Sequence, residues 1–324
     1  INAMAVHLEV LHGESLAELL FDPAGGLADL QGGQIKHCPG AFIADPVRML
    51  RGYRMAATLG FSIVEKTVEA IRKYGPLIKD VAAERVHHEL TLIFASEHTA
   101  TTVRAMNEAG LLVYLLPELY RGKGVLQPDF HHLDVLGHCF LALEMMERLL
   151  ADPEMYFPGS DAIMREYLNE EGVKESLKWA ALLHDIGKPA TFEKRADKGG
   201  RVTFYRHDEV GCDLFKGVAD RLKWSKVETK RTAGLIDMHM HPFHLCNIQR
   251  NEEISARAAL KLCRRAGSDL PGLFLLAMSD SLASNGSQKP ARMEEEIHEL
   301  YDTVQRIYED HIEPVLHGPR LLKG

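Results

Sequence analysis

The chain has 324 residues, a hydrophobic content of 46% and a formal net charge of −8 at pH 7. Its length allows two or more compact units with buried cores, whereas the negative charge argues against a protein that binds nucleic acid through its overall field. No apolar stretch approaches the ~20 residues of a membrane span, and the five scattered cysteines show no C-x-x-C spacing. The first observation predicts no membrane partner. The second is typical of a reducing compartment and predicts a cytoplasmic protein.

The clearest strand signals lie within the first 40 residues. Residues 5–10 and 17–21 have strand-like patterns, and the sequence HGES at residues 12–15 separates them as a turn. This arrangement predicts a β-hairpin. The glycine-rich sequence DPAGG at residues 22–26 then ends the second strand.

From Asp45 onward the hydrophobic period is helical almost throughout. Pro46 is a helix-start signal with Asp45 as the expected N-cap, and apolar residues recur at three- and four-residue spacing until Gly60. Glycine, proline and charge accumulate over residues 120–128, which marks a candidate domain boundary. The chain is therefore predicted to be mainly α, with further amphipathic runs over residues 64–74, 84–96, 99–110, 133–150, 174–185, 208–222, 226–240, 254–266, 271–284 and 290–313.

The sequence KWAALLHDIGKP at residues 178–189 carries adjacent His184 and Asp185 where a helix is about to end at Gly187. An imidazole and a carboxylate on neighbouring residues can both reach one divalent cation. The alternative is a helix-terminal hydrogen bond in which the carboxylate orients the imidazole without a metal. The metal interpretation gains weight from further candidate ligands at helical positions, which are His138, His207, His239 and Asp280.

The order of these ligands, H…HD…H…H…D, resembles the HD-domain metal phosphohydrolases. A first metal would take two nitrogens and two carboxylates from His138, His184, Asp185 and Asp280. Nitrogen and carboxylate ligands of this kind suit Mn, Mg, Co, Ni or Fe. They are less typical of a structural zinc site, which is rich in sulfur ligands. His207 and His239 are candidates for a second metal. Asp185 and Lys188 are the predicted catalytic residues, since a bound metal activates water while the lysine offsets charge on the phosphate.

A second motif, DPVRMLRGYR at residues 45–54, combines an acidic and several basic side chains. Asp45 and Arg48 are three residues apart, so one helical face would present acceptors beside a fork of donors that can match the edge of a base. Arg48, Arg51 and Arg54 form a stripe suited to phosphates. The alternative is a solvated helix face with one intrahelical Asp–Arg pair.

Four motifs together resemble the class II tRNA nucleotidyltransferases and bacterial poly(A) polymerases: INAMA at residues 1–5, DPAGGLADL at 22–30, DPVRMLRGYR at 45–54 and AERVHHEL at 83–90. The resemblance implies that Asp45 and Arg48 pair with incoming CTP or ATP, and that Arg51, Arg54 and Arg85 belong to the nucleotide-binding region. It also implies addition of CMP and AMP, or of AMP alone, to the 3′ end of tRNA or another RNA, with Mg²⁺. Ala44 stands where the family often has Glu.

The resemblance implies three parts: a remnant of the nucleotidyltransferase head at residues 1–40 with the hairpin, a helical neck and body at 41–124, and an HD-type helical domain with C-terminal helices at 125–324. The family's Asp-x-Asp strand lies upstream of INAMA. The chain is therefore not expected to add nucleotides by itself. The sequence LHGPRLLKG at residues 316–324 resembles the entry to a further helical piece that the family usually carries, so the chain looks truncated at both ends. Two alternatives remain, a free-standing HD nucleotide phosphohydrolase and a non-catalytic RNA-binding protein.

Overall fold

The computed structural model describes residues 4–6, 20–127, 130–198 and 200–311. The prediction of a mainly α protein is confirmed. The chain forms two compact units, Ile1–Pro117 and Glu118–Gly324. Among the described helices, none has the length and apolar content that crossing a membrane would require.

The first unit begins with a short antiparallel pair, β1 (Ala5–Val6) and β2 (Leu20–Phe21), in which Ala5 lies opposite Phe21. These are the two described ends of the predicted hairpin, whose remaining residues 7–19 lie outside the described residues. The glycine-rich motif that follows starts helix α1 (Gly26–Gln31). The Asp22 carboxylate accepts hydrogen bonds from the backbone nitrogens of Gly26 at 2.7 Å and Leu27 at 2.8 Å, so the motif is a helix entry as well as a strand end.

A parallel two-stranded pair, β3 (Gln34–Ile35) and β4 (Ser62–Ile63), was not predicted. Each strand has only two residues, which is too short to show alternation. The further helices of this unit are α2 (Ala41–Ala44), α3 (Arg48–Leu59), α4 (Glu65–Tyr74), α5 (Ala83–Phe94), α6 (Thr99–Glu108) and α7 (Leu112–Leu115). Helix α8 (Pro117–Tyr120) begins at the last residue of the first unit and continues into the second.

Helix α3 carries the predicted nucleotide-contact motif. It packs against α5 and α6 and buries Met49, Leu50, Tyr53 and Ala57, the apolar positions that the sequence pattern indicated. The prediction that Asp45 caps this helix is wrong. The helix begins at Arg48 after Val47, without a side-chain cap, and Asp45 is an extended residue that ends α2. Its carboxylate is held by an arginine of α5 instead.

The second unit is a helical bundle built around α11 (Val173–Leu183), whose residues are almost all buried. Helices α9 (Val135–Ala151), α14 (Lys226–Met238) and α17 (Leu270–Leu282) pack against it. The remaining helices are α10 (Asp161–Leu168), α12 (Lys188–Thr191), α13 (His207–Arg221), α15 (Met240–Gln249), α16 (Ala256–Ala266) and α18 (Met293–His311).

Two features of this bundle differ from the sequence prediction. An antiparallel hairpin, β5 (Glu193–Arg195) with β6 (Arg201–Thr203), stands where no strand was expected, because its strands are short and mostly charged or polar. The helix predicted over residues 226–240 is interrupted at His239, which separates α14 from α15. Both features lie beside the candidate metal ligands.

Candidate functional site

Six predicted ligands come together inside the second unit, each from the end or the first turns of a helix. His138 lies in α9 and Asp280 in α17, while His207 is the first residue of α13. His184 and Asp185 directly follow α11, and His239 stands between α14 and α15. All six side chains are buried. Helix packing thus gathers residues that are up to 142 positions apart in the chain (280 − 138).

Asp185 stands at the centre, with one carboxylate oxygen facing each half of the cluster. Oδ2 lies 3.3 Å from Nε2 of His184 and 3.5 Å from Nε2 of His138. These two imidazole nitrogens are 3.1 Å apart. Oδ1 of Asp280 lies 3.0 Å from Nε2 of His138. The first half of the cluster is therefore the ligand set that the sequence indicated for one metal.

The other oxygen of Asp185 faces the second pair of histidines. Oδ1 lies 3.3 Å from Nε2 of His207 and 3.8 Å from Nε2 of His239, and these nitrogens are 3.1 Å apart. Ligand atoms of His138, His184 and Asp280 lie within 4.8 Å of one another, and so do those of Asp185, His207 and His239. The arrangement is thus two adjacent triads that share one carboxylate.

Backbone carbonyls orient three of the imidazoles. Nδ1 of His184 lies 2.9 Å from the carbonyl oxygen of Ala181, and Nδ1 of His239 lies 2.7 Å from that of Ile236. Nδ1 of His207 is likewise 2.8 Å from a carbonyl oxygen, that of Phe204. A carbonyl only accepts, so each Nδ1 carries the proton and leaves Nε2 free to bind a metal.

With these tautomers, the Nε2 atoms have the protonation state that metal ligands need. The neutral rings of His207 and His239 would present bare Nε2 lone pairs to each other at 3.1 Å. Two such ligands on one ion, at about 2.1 Å each and at a right angle, would be about 3.0 Å apart. Oδ1 of Asp185 also has no hydrogen-bond partner among the described residues. The donor set therefore fits divalent cations.

The electrostatics agree with this fit. Burial, aided by the neighbouring His207, lowers the pKa of His239 to about 3, which keeps its ring neutral. Burial opposes a charged Asp185, but His184 and Lys188 hold the pKa of its carboxyl well below the usual range. Burial likewise opposes a charged His184, yet Asp185 and Asp280 raise its pKa. The two carboxylates thus favour a positive charge at this point.

Lys188, the second predicted catalytic residue, contacts acceptors of the protein itself. Its Nζ lies 2.6 Å from Oδ2 of Asp185 and donates to Oε1 of Gln127. It also lies 3.4 Å from Nε2 of His131, whose Nδ1 is 2.9 Å from the hydroxyl of Ser284. Gln127 had no signal in the sequence, because its partner is 61 residues away.

A cleft of about 500 Å³ adjoins the triads and is lined by His207 and Asp280. Strand β6 and the residues after it form one part of its wall, which sequence reasoning missed. Its lining includes aromatic and cationic side chains, namely Phe130, Phe204, Phe243, Lys188, Arg201 and Arg206. This composition suits an anionic ligand with a flat apolar part.

In the first unit, Asp45 is paired with Arg85 of α5. Nη2 of Arg85 lies 2.8 Å and 3.1 Å from the two carboxylate oxygens, and this pair lowers the pKa of Asp45. Nε of Arg48 is more distant, at 3.9 Å, and its side chain is 47% exposed. The carboxylate that the sequence assigned to a base edge is thus oriented by an arginine from another helix.

The arginine stripe on α3 is not a simple solvated face. Nε of Arg51 lies 2.9 Å from Oε1 of Glu89, and Nε of Arg54 lies 2.7 Å from Oε2. The Glu89 side chain is 4% exposed. Two of the three predicted phosphate contacts therefore share one buried carboxylate, while Arg48 keeps its exposed position.

Comparison with known proteins gives this geometry its context. Residues 60–121 match the family model described as the probable RNA and SrmB-binding site of polymerase A, and residues 135–265 match the HD domain. The chain is 33% identical over 273 residues to the A-adding tRNA nucleotidyltransferase of Deinococcus radiodurans, covering 82% of this chain and 56% of the relative. It belongs to the family of bacterial CCA-adding enzymes and poly(A) polymerases.

Other members of this family are similar over the same region. The CC-adding tRNA nucleotidyltransferase of Thermus thermophilus is 32% identical over 253 residues, which are 76% of this chain and 51% of the relative. The chain thus spans about half the length of these two relatives.

The fold is also that of solved structures of family members. The Thermotoga maritima CCA-adding enzyme complexed with tRNA(CCA) has a TM-score of 0.52 at 17% identity, over 89% of this chain and 54% of that one. A tRNA nucleotidyltransferase complexed with a primer tRNA and an incoming ATP analog has a TM-score of 0.57 at 16% identity, over 95% of this chain and 71% of that one.

Proposed function

We propose that the second unit is a metal-dependent phosphohydrolase within a tRNA nucleotidyltransferase. The observation that carries the hydrolase assignment is Asp185, whose two oxygens face two triads of buried ligand atoms. A single structural hydrogen bond between His184 and Asp185 would need neither the second triad nor the convergence of five helices. The ligands favour Mn, Ni, Co, Mg or Fe over a thiolate-bound zinc.

Divalent metal ions in these triads would polarise a phosphoryl oxygen and lower the pKa of water. The chain's own residues organise the centre. Carbonyl contacts orient the imidazoles, and Lys188 balances the charge of Asp185, which would remain ionised as a ligand and catalytic residue. Attack of water at phosphorus breaks one ester P–O bond, and the leaving oxygen takes up a proton as a hydroxyl group.

The substrate class we propose is a nucleotide phosphoester, either a 2′,3′-cyclic phosphate or a 2′-phosphate. A cleft of about 500 Å³ is large enough for a nucleotide, and its aromatic side chains offer stacking surfaces for a base. Arg201 and Arg206 in its lining are cationic groups for a phosphate, and Arg206 would exchange its ion pair with Glu209 for that contact. A bare phosphate would make no use of the aromatic wall.

For the whole protein we propose addition of CMP and AMP, or AMP alone, to RNA 3′ ends in the cytoplasm, with ATP or CTP and Mg²⁺. Support comes from the names of the relatives and from the RNA-binding match at residues 60–121. In this proposal Asp45 and Arg48 read the base, Arg85 orients Asp45, and Arg51 and Arg54 lie near the phosphates. The proposed parts are residues 1–40 of the head, 41–124 of the neck and body, and 125–324 of the HD domain.

The alternatives make less use of the chain. A free-standing HD phosphohydrolase would have no role for the RNA-binding match or for the Asp45–Arg85 pair. A non-catalytic RNA-binding protein would have no role for six buried metal-type ligands.

Metal analysis combined with a hydrolysis assay tests the hydrolase assignment. We expect the purified chain to retain Mn²⁺ or Ni²⁺ and to hydrolyse 2′,3′-cyclic AMP, and we expect Asp185→Asn to lose both properties. Asp213→Asn is the matched control, since Asp213 is an exposed residue of α13 whose side chain is 79% accessible. A folded wild-type sample that takes up no metal and hydrolyses no phosphoester would overturn the assignment.

A further inference from the structure

The side-chain amide of Gln127 is buried beside the metal ligands with one half unpaired. The residue is 4% exposed, and its Oε1 accepts a hydrogen bond from Nζ of Lys188. An ammonium group only donates, so the amide oxygen must face the lysine and the amide nitrogen must point elsewhere. Nε2 is a buried donor with no partner among the described residues. Buried donors without an acceptor are rare in folded proteins and call for a specific reason.

The backbone holds this amide in place. Leu126 forms an antiparallel bridge with Asp134, and the backbone nitrogen of Val135 donates to the carbonyl oxygen of Val125 at 3.0 Å. These contacts tie the segment before Gln127 to the start of α9, the helix that carries His138. The backbone beside Gln127 is therefore tied to the helix that carries a candidate metal ligand, and the contact with Lys188 orients the amide.

A directed chain of hydrogen bonds accounts for the neighbouring donors. Lys188 faces Asp185, Gln127 and Nε2 of His131. Nδ1 of His131 then donates to the Ser284 hydroxyl, which donates to the carbonyl oxygen of Asp280 at 3.0 Å. Each of these donors has an acceptor within the protein. The donor left over in this chain of contacts is Nε2 of Gln127.

Gln127 lines the same cleft as His207 and Asp280, the ligands at its inner side. A phosphoryl oxygen is a strong acceptor and is the group that the proposed reaction would bring there. We propose that Nε2 of Gln127 donates to a non-bridging phosphoryl oxygen of the substrate, which makes Gln127 a substrate-binding residue of the phosphohydrolase function proposed above. Lys188 is then a positioning residue, because it turns the amide nitrogen toward the ligand.

Loss of a phosphate-binding residue and loss of a metal ligand have different effects on KM, kcat and metal content. Non-bridging oxygens are present in substrate, in transition state and in inorganic phosphate, so a donor to one of them contributes to binding throughout the reaction. Removing it raises KM and weakens phosphate binding, while kcat changes less. Metal content stays the same.

Two substitutions separate the functions of the amide. Gln127→Glu keeps an oxygen facing Lys188 but replaces the donor with a second acceptor, and Gln127→Met removes both while keeping the length. We measure binding of inorganic phosphate to the Mn²⁺-loaded full chain by calorimetry. We expect the affinity to fall roughly 10- to 100-fold in Gln127→Glu and by a smaller factor in Gln127→Met. KM for 2′,3′-cyclic AMP should rise in the same order. Gln34→Glu, at an exposed position of β3, controls for the added charge.

The outcomes distinguish this inference from the proposed function. Unchanged phosphate affinity in Gln127→Glu, or loss of metal in place of phosphate affinity, overturns the role of Gln127. A wild type that binds Mn²⁺ but no phosphate also overturns it, and one that takes up no metal overturns both proposals. A wild type that binds metal and phosphate without hydrolysing the ester contradicts only the phosphohydrolase function, and the phosphate measurement still decides the role of Gln127.

Discussion

Gly187 approaches His207 so closely that a Cβ atom on the glycine would lie 2.0 Å from the carbonyl oxygen of His207. The same atom would lie 2.6 Å from the backbone nitrogen of Gly211. The turn that carries Asp185 is thereby packed directly on the first turns of α13, which places the shared carboxylate beside its second pair of histidines. Gly187 was predicted only to end a helix, and its close approach explains why no larger residue fits.

We therefore expect Gly187→Ala to separate the two halves of the centre. Overpacking of this kind costs about 1–3 kcal/mol, and backbone on both sides leaves little room to relax. The metal content and the free energy of unfolding, measured in urea, should both fall in this variant. Gly217→Ala is the matched control on α13, since a Cβ there meets nothing within 4 Å, and it should stabilise the helix by up to about 1 kcal/mol. A Gly187→Ala variant with normal metal content would refute the explanation.

The acid stability of the metal-free chain should depend on His131. Burial and the charge of Lys188 lower the pKa of His131 to about 2, from an ordinary value of 6.5. Between these values the unfolded chain binds a proton that the folded chain does not, so stability falls as pH falls below 6.5. One such group contributes a slope of about 1.4 kcal/mol per pH unit.

His131→Gln should remove that part of the slope when the free energy of unfolding is measured by urea between pH 6 and pH 4. His98→Gln, at an exposed position, controls for the loss of a histidine. Equal slopes in wild type and His131→Gln would contradict the buried neutral state of this ring.

Glu89 should stabilise the first unit through the two arginines that it holds. Glu89→Gln leaves Arg51 and Arg54 sharing a neutral acceptor at a buried position, and we expect a loss of about 1–3 kcal/mol in the free energy of unfolding. Glu84→Gln, at an exposed position of the same helix, should change it by less than about 0.5 kcal/mol. Equal stability of the two variants would show that the buried pair contributes nothing.

Asp45 and Arg48 should govern nucleotide choice in the full-length protein. Losing a base-edge contact costs about 1–3 kcal/mol of discrimination, so Asp45→Ala or Arg48→Ala should reduce the preference for CTP and ATP over GTP and UTP in a tRNA extension assay. Affinity for tRNA should change less. Arg72→Ala, at an exposed position of α4, is the control. Selection that stays intact in both variants would sink the assignment.

The extent to which sequence anticipated the site differs between its parts. The six ligands could be proposed because the adjacent His184 and Asp185 are an unusual local signal and the others stand at helical positions. The structure brings all six together. Gln127 carried no signal, and the AERVHHEL motif contained Glu89 without indicating its partners. The partners of both residues lie 35 to 61 positions away, and only packing brings them near.

The errors in the fold have a similar origin. Strands of two or three residues, as in β3, β4, β5 and β6, are too short to show a period, and their existence depends on a partner strand. Asp45 next to Pro46 has the local features of a helix cap, but both oxygens of its carboxylate contact Nη2 of Arg85, which lies 40 residues away in the chain.

The sequence by itself determined the helical content, the family resemblance and the candidate ligand residues, because these depend on residue type and short-range spacing. The tertiary structure decided that Asp185 is shared between two triads, that Lys188 and Arg85 orient neighbouring groups, and that a cleft with an aromatic wall adjoins the centre. The physical reason is that a carboxylate or an amide forms hydrogen bonds and ion pairs only with groups a few ångströms away. Those distances are set by how the helices pack.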